Sequence, residues 1–235
     1  MDLTLPIVKD ASSVSLVEQA YQTLRRSIVR CDFQPDERLR VDELSRQFGL
    51  SSSPLREALN RLAQHGLVRA LDNRGFRVAP ISIEGISDLT RVRLLIELEA
   101  LRDALIHGSE EWEGSVVAAA HGLMAIEKHF GTGPLLLDEK WSDRHRSFHM
   151  AIYSGCSSPI LKVMVESLFD QAERYRRFSA RFRKSQRSKG SEHQRILNAV
   201  VSRDSETSLE LVEGHIRSTE RRVVEGLLAK QKSGE

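Results

Sequence analysis

The chain has 235 residues, 40% hydrophobic and 29% charged, with a formal net charge of +2 and two cysteines. This is enough for one large domain or two ordinary ones with a sizeable buried core. Two cysteines exclude a disulfide framework, no apolar run is long enough to span a bilayer, and the opening segment lacks the basic start and apolar middle of a secretory signal. The expectation is a cytoplasmic protein with no membrane partner.

Residues 1–13 read as a loose arm. From Val14 the apolar positions Val17, Ala20, Tyr21, Leu24 and Ile28 recur at helical spacing. Phe33-Gln34-Pro35-Asp36 reads as a turn, and a short helix follows from about Val41 to Phe48, ended by Gly49. Ser51 or Ser52 caps the next helix, Pro54 fits its first turn, and it stops at Gly66. Leu67–Leu71 and Gly75–Ala79 read as two strands around Asp72-Asn73-Arg74-Gly75. Helix, helix, turn, helix, hairpin is the order of a winged helix-turn-helix, assigned to residues 14–80.

Beyond a linker at Pro80 the pattern is helical: Ile83–His107, Trp112–Phe130, Leu135–Tyr153, Pro159 to about Lys184, Ser191–Ser202 and Ser205–Ala229. Residues 81–230 are thus assigned to an all-α bundle of six to seven helices, with 231–235 as a tail. The fold class is mainly α.

The helix after Gly49 carries the first functional signal. Ser53, Arg56, Asn60 and Gln64 share one stripe; Leu55, Leu59 and Leu62 share another. The apolar side packs on the preceding helix, so the helix N-terminus, with its partial positive charge, points outward at a phosphate. Arg56 suits a phosphate or a guanine edge, and Asn60 an adenine edge or a phosphate. The wing tip Asn73-Arg74-Gly75 reaches toward the backbone or minor groove. The charge is modest: residues 1–80 hold 12 Lys and Arg against 10 Asp and Glu.

Phe33-Gln34-Pro35-Asp36-Glu37-Arg38-Leu39, Glu43-Leu44, Ser53-Pro54-Leu55-Arg56-Glu57-Ala58-Leu59, Gly66-Leu67-Val68 and Asn73-Arg74-Gly75-Phe76-Arg77-Val78 together resemble the DNA-binding domain of the GntR family. The resemblance implies a dimer on a palindromic operator, with Ser53, Arg56 and the Arg74-Gly75 tip on DNA; Ser51, Ser52 and Asn60 complete the candidate face. Asp36 stands where the family has a turn glycine. Ser52 stands where it has a guanine-reading arginine, so operator sequence does not carry over.

In the helical part, His145 and His149 lie one turn apart on a stripe with Trp141, Phe148 and Ile152. His193 shares a stripe with Leu197 and Val200, and His215 follows Leu211 by one turn. Four histidines from three helices aimed at one core suit Zn²⁺ or Ni²⁺; the alternative is four separate, hydrogen-bonded core histidines. Arg93-Leu94-Leu95-Ile96-Glu97, Phe148-His149, Glu192–Leu197 and Gly214-His215-Ile216 resemble the FCD-type ligand-binding domain of the FadR-like GntR branch.

In metal-binding members of that family the ligands are an aspartate, a histidine four residues later and two further histidines. His149, His193 and His215 match; His145 stands at the aspartate's place, and Asp143 points elsewhere on the helix. An all-histidine set leaves a metal's charge uncancelled and favours an anionic effector such as a carboxylate; equally, the histidines hold the acid with no metal. Arg93 sits near the same cavity by the resemblance, or pairs with Glu97.

The basic run after Phe169 reads as a solvated face. Against that, the stripe Ala172, Tyr175, Ser179, Phe182 points inward, which places Tyr175 and the flanking Arg174 on the cavity. Arg144–His149, Gly155-Cys156-Ser157 and Glu173–Arg176 resemble the subgroup that contains the carbon-starvation-induced regulator, which responds to glutarate.

These features predict a metabolite-responsive transcriptional regulator, a repressor released from its operator by a small carboxylic acid. The alternatives are a constitutive dimeric DNA-binding protein without effector and a metal-dependent hydrolase. Neither His-Glu-x-x-His nor Gly-x-Ser-x-Gly occurs, and no enzyme is expected.

Overall fold

The computed structural model describes residues 15–72, 74–129, 138–182 and 191–233. The arm, Asn73 at the wing tip, the 131–134 break and the last two residues lie outside these. Two compact units emerge. One holds the chain up to Ile28 and Asp36–Ala79; the other holds Val29–Pro35 and the chain from Pro80 on.

The first unit runs α1 (Leu16–Val29), β1 (Arg38–Leu39), α2 (Val41–Phe48), α3 (Ser52–Gln64), β2 (Val68–Leu71) and β3 (Gly75–Val78). It is the expected winged helix-turn-helix. Ala20, Tyr21, Leu24 and Ile28 of α1 are buried, as are Leu44 of α2 and Leu55, Ala58, Leu59 and Leu62 of α3. Each full leucine burial is worth about 1.5–3 kcal/mol. Polar contacts fix α3 against α1: Arg61 pairs with Glu18 at 2.5 Å and stacks 3.8 Å over the Tyr21 ring, while the Tyr21 hydroxyl meets His65 Nδ1 at 2.7 Å. Gly49 ends α2 in the left-handed region, at φ 66°.

The sheet has a strand that periodicity missed. β1 joins the hairpin antiparallel, giving the order β1-β3-β2. Two residues are too few to show alternation, and only Leu39 turns inward. Asp36, just before it, sits at φ 64°, a left-handed conformation that aspartate tolerates better than most residues.

The second unit contains, among the described residues, α4 (Ile83–His107), α5 (Glu110–His129), α6 (Glu139–Ser154), α7 (Pro159–Ala180), α8 (Ser191–Val201) and α9 (Ser205–Ser233). Side chains set the starts: Ser82 accepts from Gly85 N at 2.9 Å, Asp138 from Trp141 N at 2.8 Å and Ser158 from Leu161 N at 3.3 Å, with Pro159 in the first turn of α7. One apolar core joins Leu101, Trp112, Leu123, Trp141, Phe148, Ile152 and Ile196. Another joins Cys31, Ile86, Tyr175, Phe178 and Val223.

The C-terminal half of α7 departs from expectation. Its basic run reads as a solvated face, yet every residue from Ala172 to Ala180 is buried, including Glu173, Arg174, Arg176 and Arg177. The helix is enclosed by α4, α6 and α9. Burying charge is costly unless each group is paired, so these residues mark a polar interior.

Candidate DNA-reading face and histidine centre

α3 presents its polar side because its apolar side is committed. Pro54, Leu55, Ala58, Leu59 and Leu62 are buried, whereas Ser51, Ser52, Ser53, Arg56, Asn60 and Gln64 are exposed. Ser51 is the N-cap residue, at φ −70° and ψ 162°, but its hydroxyl accepts no cap bond. The first-turn N–H groups therefore receive nothing from that side chain and point outward, which suits a phosphate. Arg74 and Gly75 are exposed at the hairpin, with Gly75 at φ 85°. The structure thus puts all seven sequence-chosen residues on the surface of this unit.

The four histidines do converge. His145, His149, His193 and His215 are buried, and one nitrogen from each lies within 4.8 Å of the others. The Nε2 atoms of His145 and His149 are 3.1 Å apart. Metal–nitrogen bonds of ~2.0–2.1 Å put ligand nitrogens ~3.3 Å apart in a tetrahedron and ~4.1 Å apart across an octahedron. From separations of up to 4.8 Å the donors contract by up to ~1.5 Å to close on a tetrahedral ion, and by ~0.7 Å for a pair opposed across an octahedron. His149 Nδ1 is buried with no hydrogen-bond partner among the described residues. Burial and the neighbouring His215, His193, Arg176 and Arg93 push the His149 pKa well below 6.5, so its ring is neutral at pH 7, the form a metal requires. The donor set fits such an ion.

Sequence reasoning missed the carboxylates behind the rings. Glu127 Oε1 of α5 lies 3.3 Å from His193 Nδ1, and Glu192 Oε1 of α8 lies 3.1 Å from His215 Nδ1. The Trp141 indole donates to Glu127 at 3.1 Å and stacks on His145. The Glu127 carboxylate on Nδ1 of His193 suits the tautomer that turns Nε2 into the centre, as behind metal-bound histidines.

A cavity opens beside the centre, lined among others by Arg93, His145, Glu173, Arg176, His215 and Thr219. Its volume is about 10 Å³, on the measure by which one water occupies ~10–15 Å³. Arg93 does both things expected of it: it faces the cavity and makes a two-pronged buried pair with Glu97, at 2.6 and 3.2 Å. The Tyr153 hydroxyl braces Glu97 at 2.9 Å.

The other two choices are corrected. Tyr175 packs in the second apolar core against α4, where a Cβ on Gly85 would strike its hydroxyl. Arg174 offers its carbonyl to the Cys31 thiol at 3.6 Å. Neither lines the cavity. Helical rotation brings Arg176 there instead: it pairs with Glu173 and approaches both ring nitrogens of His145 at 3.1 Å. Asp143 is exposed, as its position on α6 predicts.

Similarity to known proteins is extensive. The model of the gntR family of bacterial regulatory proteins matches residues 16–78, and that of the FCD domain matches 88–218. The chain is 35% identical over 205 residues to the uncharacterized HTH-type transcriptional regulator BphR of Paraburkholderia xenovorans, covering 87% of this chain and 84% of that one. It is 36% identical over 200 residues to the HTH-type transcriptional repressor GlaR of Escherichia coli, covering 83% and 90%. Escherichia coli McbR/YncC shares the fold, with a TM-score of 0.72 at 20% identity over 91% of this chain and 99% of that one.

Proposed function

The chain belongs to the gntR family of bacterial transcriptional regulators and carries an FCD domain, and from that premise we propose that it is a repressor released from a palindromic operator by a small carboxylic acid. Its family and relatives are regulators, which removes the hydrolase alternative. Among the described residues no helix is long and apolar enough to cross a membrane.

One observation carries the acid-sensing half: two buried guanidiniums, Arg93 and Arg176, line the same small cavity as His145 and His215. His149, His193, His215 and His145 would hold a zinc or nickel ion, which supplies positive charge and an open coordination site for a carboxylate. The imidazoles bring no charge to the ion; Glu127 and Glu192 stand behind two of the rings and Glu173 pairs with Arg176, so an acid entering the cavity meets the ion directly and competes with Glu173 for Arg176. An anion is the ligand such a site favours. A second reading, the acid held by histidines and arginines with no metal, is favoured by Arg176 resting on the His145 ring.

The cavity has room for about one water, so an acid with a carbon chain must move Arg176 off His145. That displaces α7. The same helix holds the Val29–Pro35 segment: Cys31 donates to the Arg174 carbonyl, and the Arg181 guanidinium donates to the Cys31 carbonyl at 3.1 Å. The segment continues directly from α1, so a shift of α7 is passed along the chain to the winged helix. A coupling of ~1–3 kcal/mol changes operator affinity ~5–150-fold. Screening dicarboxylic acids, glutarate among them, by thermal shift and by release of the chain from its own promoter fragment tests this. Failure of every acid to stabilise the protein or release DNA would leave the constitutive, effector-free reading.

Homodimerisation is proposed through the helical unit. Leu95 and Ile106 of α4 are 70% and 68% exposed, and Ile160, Val163 and Met164 on the neighbouring α7 are 70%, 60% and 46% exposed. Each set shares one helical face, and clustered exposed aliphatics mark interaction surfaces. Val163→Glu is expected to yield a monomer in sedimentation velocity while keeping the helical circular dichroism; an unchanged dimer would move the interface elsewhere.

The orienting carboxylates give a prediction independent of DNA. Glu127→Gln keeps the shape and removes the charge behind His193. Metal affinity measured against a chelator is expected to fall ~10–100-fold. An unchanged affinity would assign Glu127 to the Trp141 contact alone.

A further inference from the structure

The wing sheet has an inner face and a solvent face. Leu39, Val68, Phe76 and Val78 form the inner one and are buried. On the solvent face the register places Arg38 opposite Arg77 and Arg77 opposite Arg69, one arginine from each of the three strands, side by side. Arg38 and Arg69 are exposed and Arg77 is half-buried. Like charges directly opposite one another destabilise a sheet. A chain that sets three guanidiniums in one row, on a unit only slightly basic overall, has placed them for a partner with a regular array of negative charge.

The row is held in shape by the turn that precedes β1. The Asp36 carboxylate pairs with Arg69, the Asp36 carbonyl accepts from Arg77 at 2.6 Å, and Arg38 donates to the carbonyl of Arg74 at the hairpin at 3.3 Å. Asp36 thus gives its carboxylate to Arg69 alone and only its carbonyl to Arg77. With strands spaced ~4.8 Å, the row spans ~10 Å. Over that length one strand of a duplex carries about three phosphates, at ~3.4 Å of axis each. The row also ends on the same hairpin as Arg74 and Gly75.

We infer that the solvent face of the wing sheet, through Arg38, Arg69 and Arg77, is a second DNA-backbone surface, and that Asp36 is its built-in counterion, holding Arg69 back from the phosphates. This rests on the reading of the unit as a DNA-binding domain, and adds to it a sequence-independent contact separate from α3. The surface sets the strength and salt sensitivity of binding; α3 sets the sequence. Asp36 lowers affinity for operator and random DNA by the same factor, which leaves their ratio to α3 and limits how long the chain is held on random duplex.

The test is fluorescence anisotropy of the full chain on its promoter fragment and on a random duplex, from about 50 to 300 mM KCl. Each phosphate contact contributes ~0.9 to the slope of log affinity against log salt. Arg38→Gln and Arg77→Gln are each expected to weaken both duplexes by the same factor and to lower the slope by ~0.9, whereas Arg69→Gln, whose guanidinium Asp36 already holds, is expected to change both less. Asp36→Gly keeps the turn, since glycine takes φ 64° freely. It is expected to tighten binding to both duplexes and steepen the slope by up to ~0.9 through Arg69. In the Asp36→Gly/Arg69→Gln double variant that gain disappears.

Slopes equal to wild type in all three glutamine variants, with unchanged melting curves, would overturn the surface. A gain from Asp36→Gly that persists in the double variant would overturn the counterion assignment. A wild-type chain that binds no duplex at all would instead overturn the proposed function, a distinguishable result.

Discussion

Arg56→Ala is expected to abolish operator binding, with the fold and assembly state unchanged. Arg56 is exposed on the first full turn of α3, with Leu55 beneath it and Ser53 and Asn60 on its own side. A guanidinium there reaches a guanine edge or a phosphate, and a bidentate base contact is worth about 1–3 kcal/mol. In the proposed two-fold dimer the residue occurs twice, so the expected loss doubles to about 2–6 kcal/mol, or ~30- to 10⁴-fold in affinity. Nothing compensates: Ser52, the neighbour in the helix's first turn, cannot make a two-pronged contact. Because Arg56 is exposed and makes no hydrogen bond or ion pair among the described residues, melting temperature should stay within the range of surface substitutions. Anisotropy titration on the promoter fragment, with sedimentation velocity on the same sample, reads both quantities. Affinity within about threefold of wild type would remove Arg56 from the interface.

The contrast between Arg56 and Arg176 shows what the amino-acid pattern reveals. The α3 stripe is legible because amphipathic periodicity, a serine start and a glycine stop all act within one helix, where spacing fixes geometry. The histidine convergence is legible for the same reason, since each histidine shares a stripe with core residues on its own helix. The residues that complete the centre are not legible. Glu127 and His193 lie 66 positions apart, and Glu192 and His215 lie 23 apart. Such pairs exist only after three helices pack.

Arg176 misleads in a different way. Its neighbours Arg174, Arg177 and Glu173 give the helix a charged aspect on every side, which local pattern reads as solvent exposure. Burial comes from the surrounding α4, α6 and α9, none of which the segment's own periodicity reports. The same logic covers β1. A two-residue strand has no period, and only its register with β3 reveals that Arg38 joins a row.

His149→Ala is expected to strip the metal from the purified protein and to cost about as much stability as the metal supplies. The His149 ring stands among the other three, with centroids 4.4 Å from His145, 4.9 Å from His215 and 5.8 Å from His193. Removing it deletes one of four donors and leaves a void where the ring stood, so the remaining three hold an ion more weakly. At metal concentrations of ~1,000 times Kd, binding contributes about 4 kcal/mol. For a chain of this size that is ~8–16 °C in melting temperature.

Deleting a buried ring also costs packing, so the comparison must separate the two effects. Metal-stripped wild type and metal-stripped His149→Ala give the packing cost alone; adding metal to each should raise only the wild type. Elemental analysis of the protein as purified gives the occupancy directly. If wild type holds no metal and neither protein responds to zinc or nickel, while a dicarboxylate stabilises wild type but not His149→Ala, then the histidines bind the acid themselves. In that case Arg176 on His145 is the resting state of the sensor rather than a contact the metal must displace.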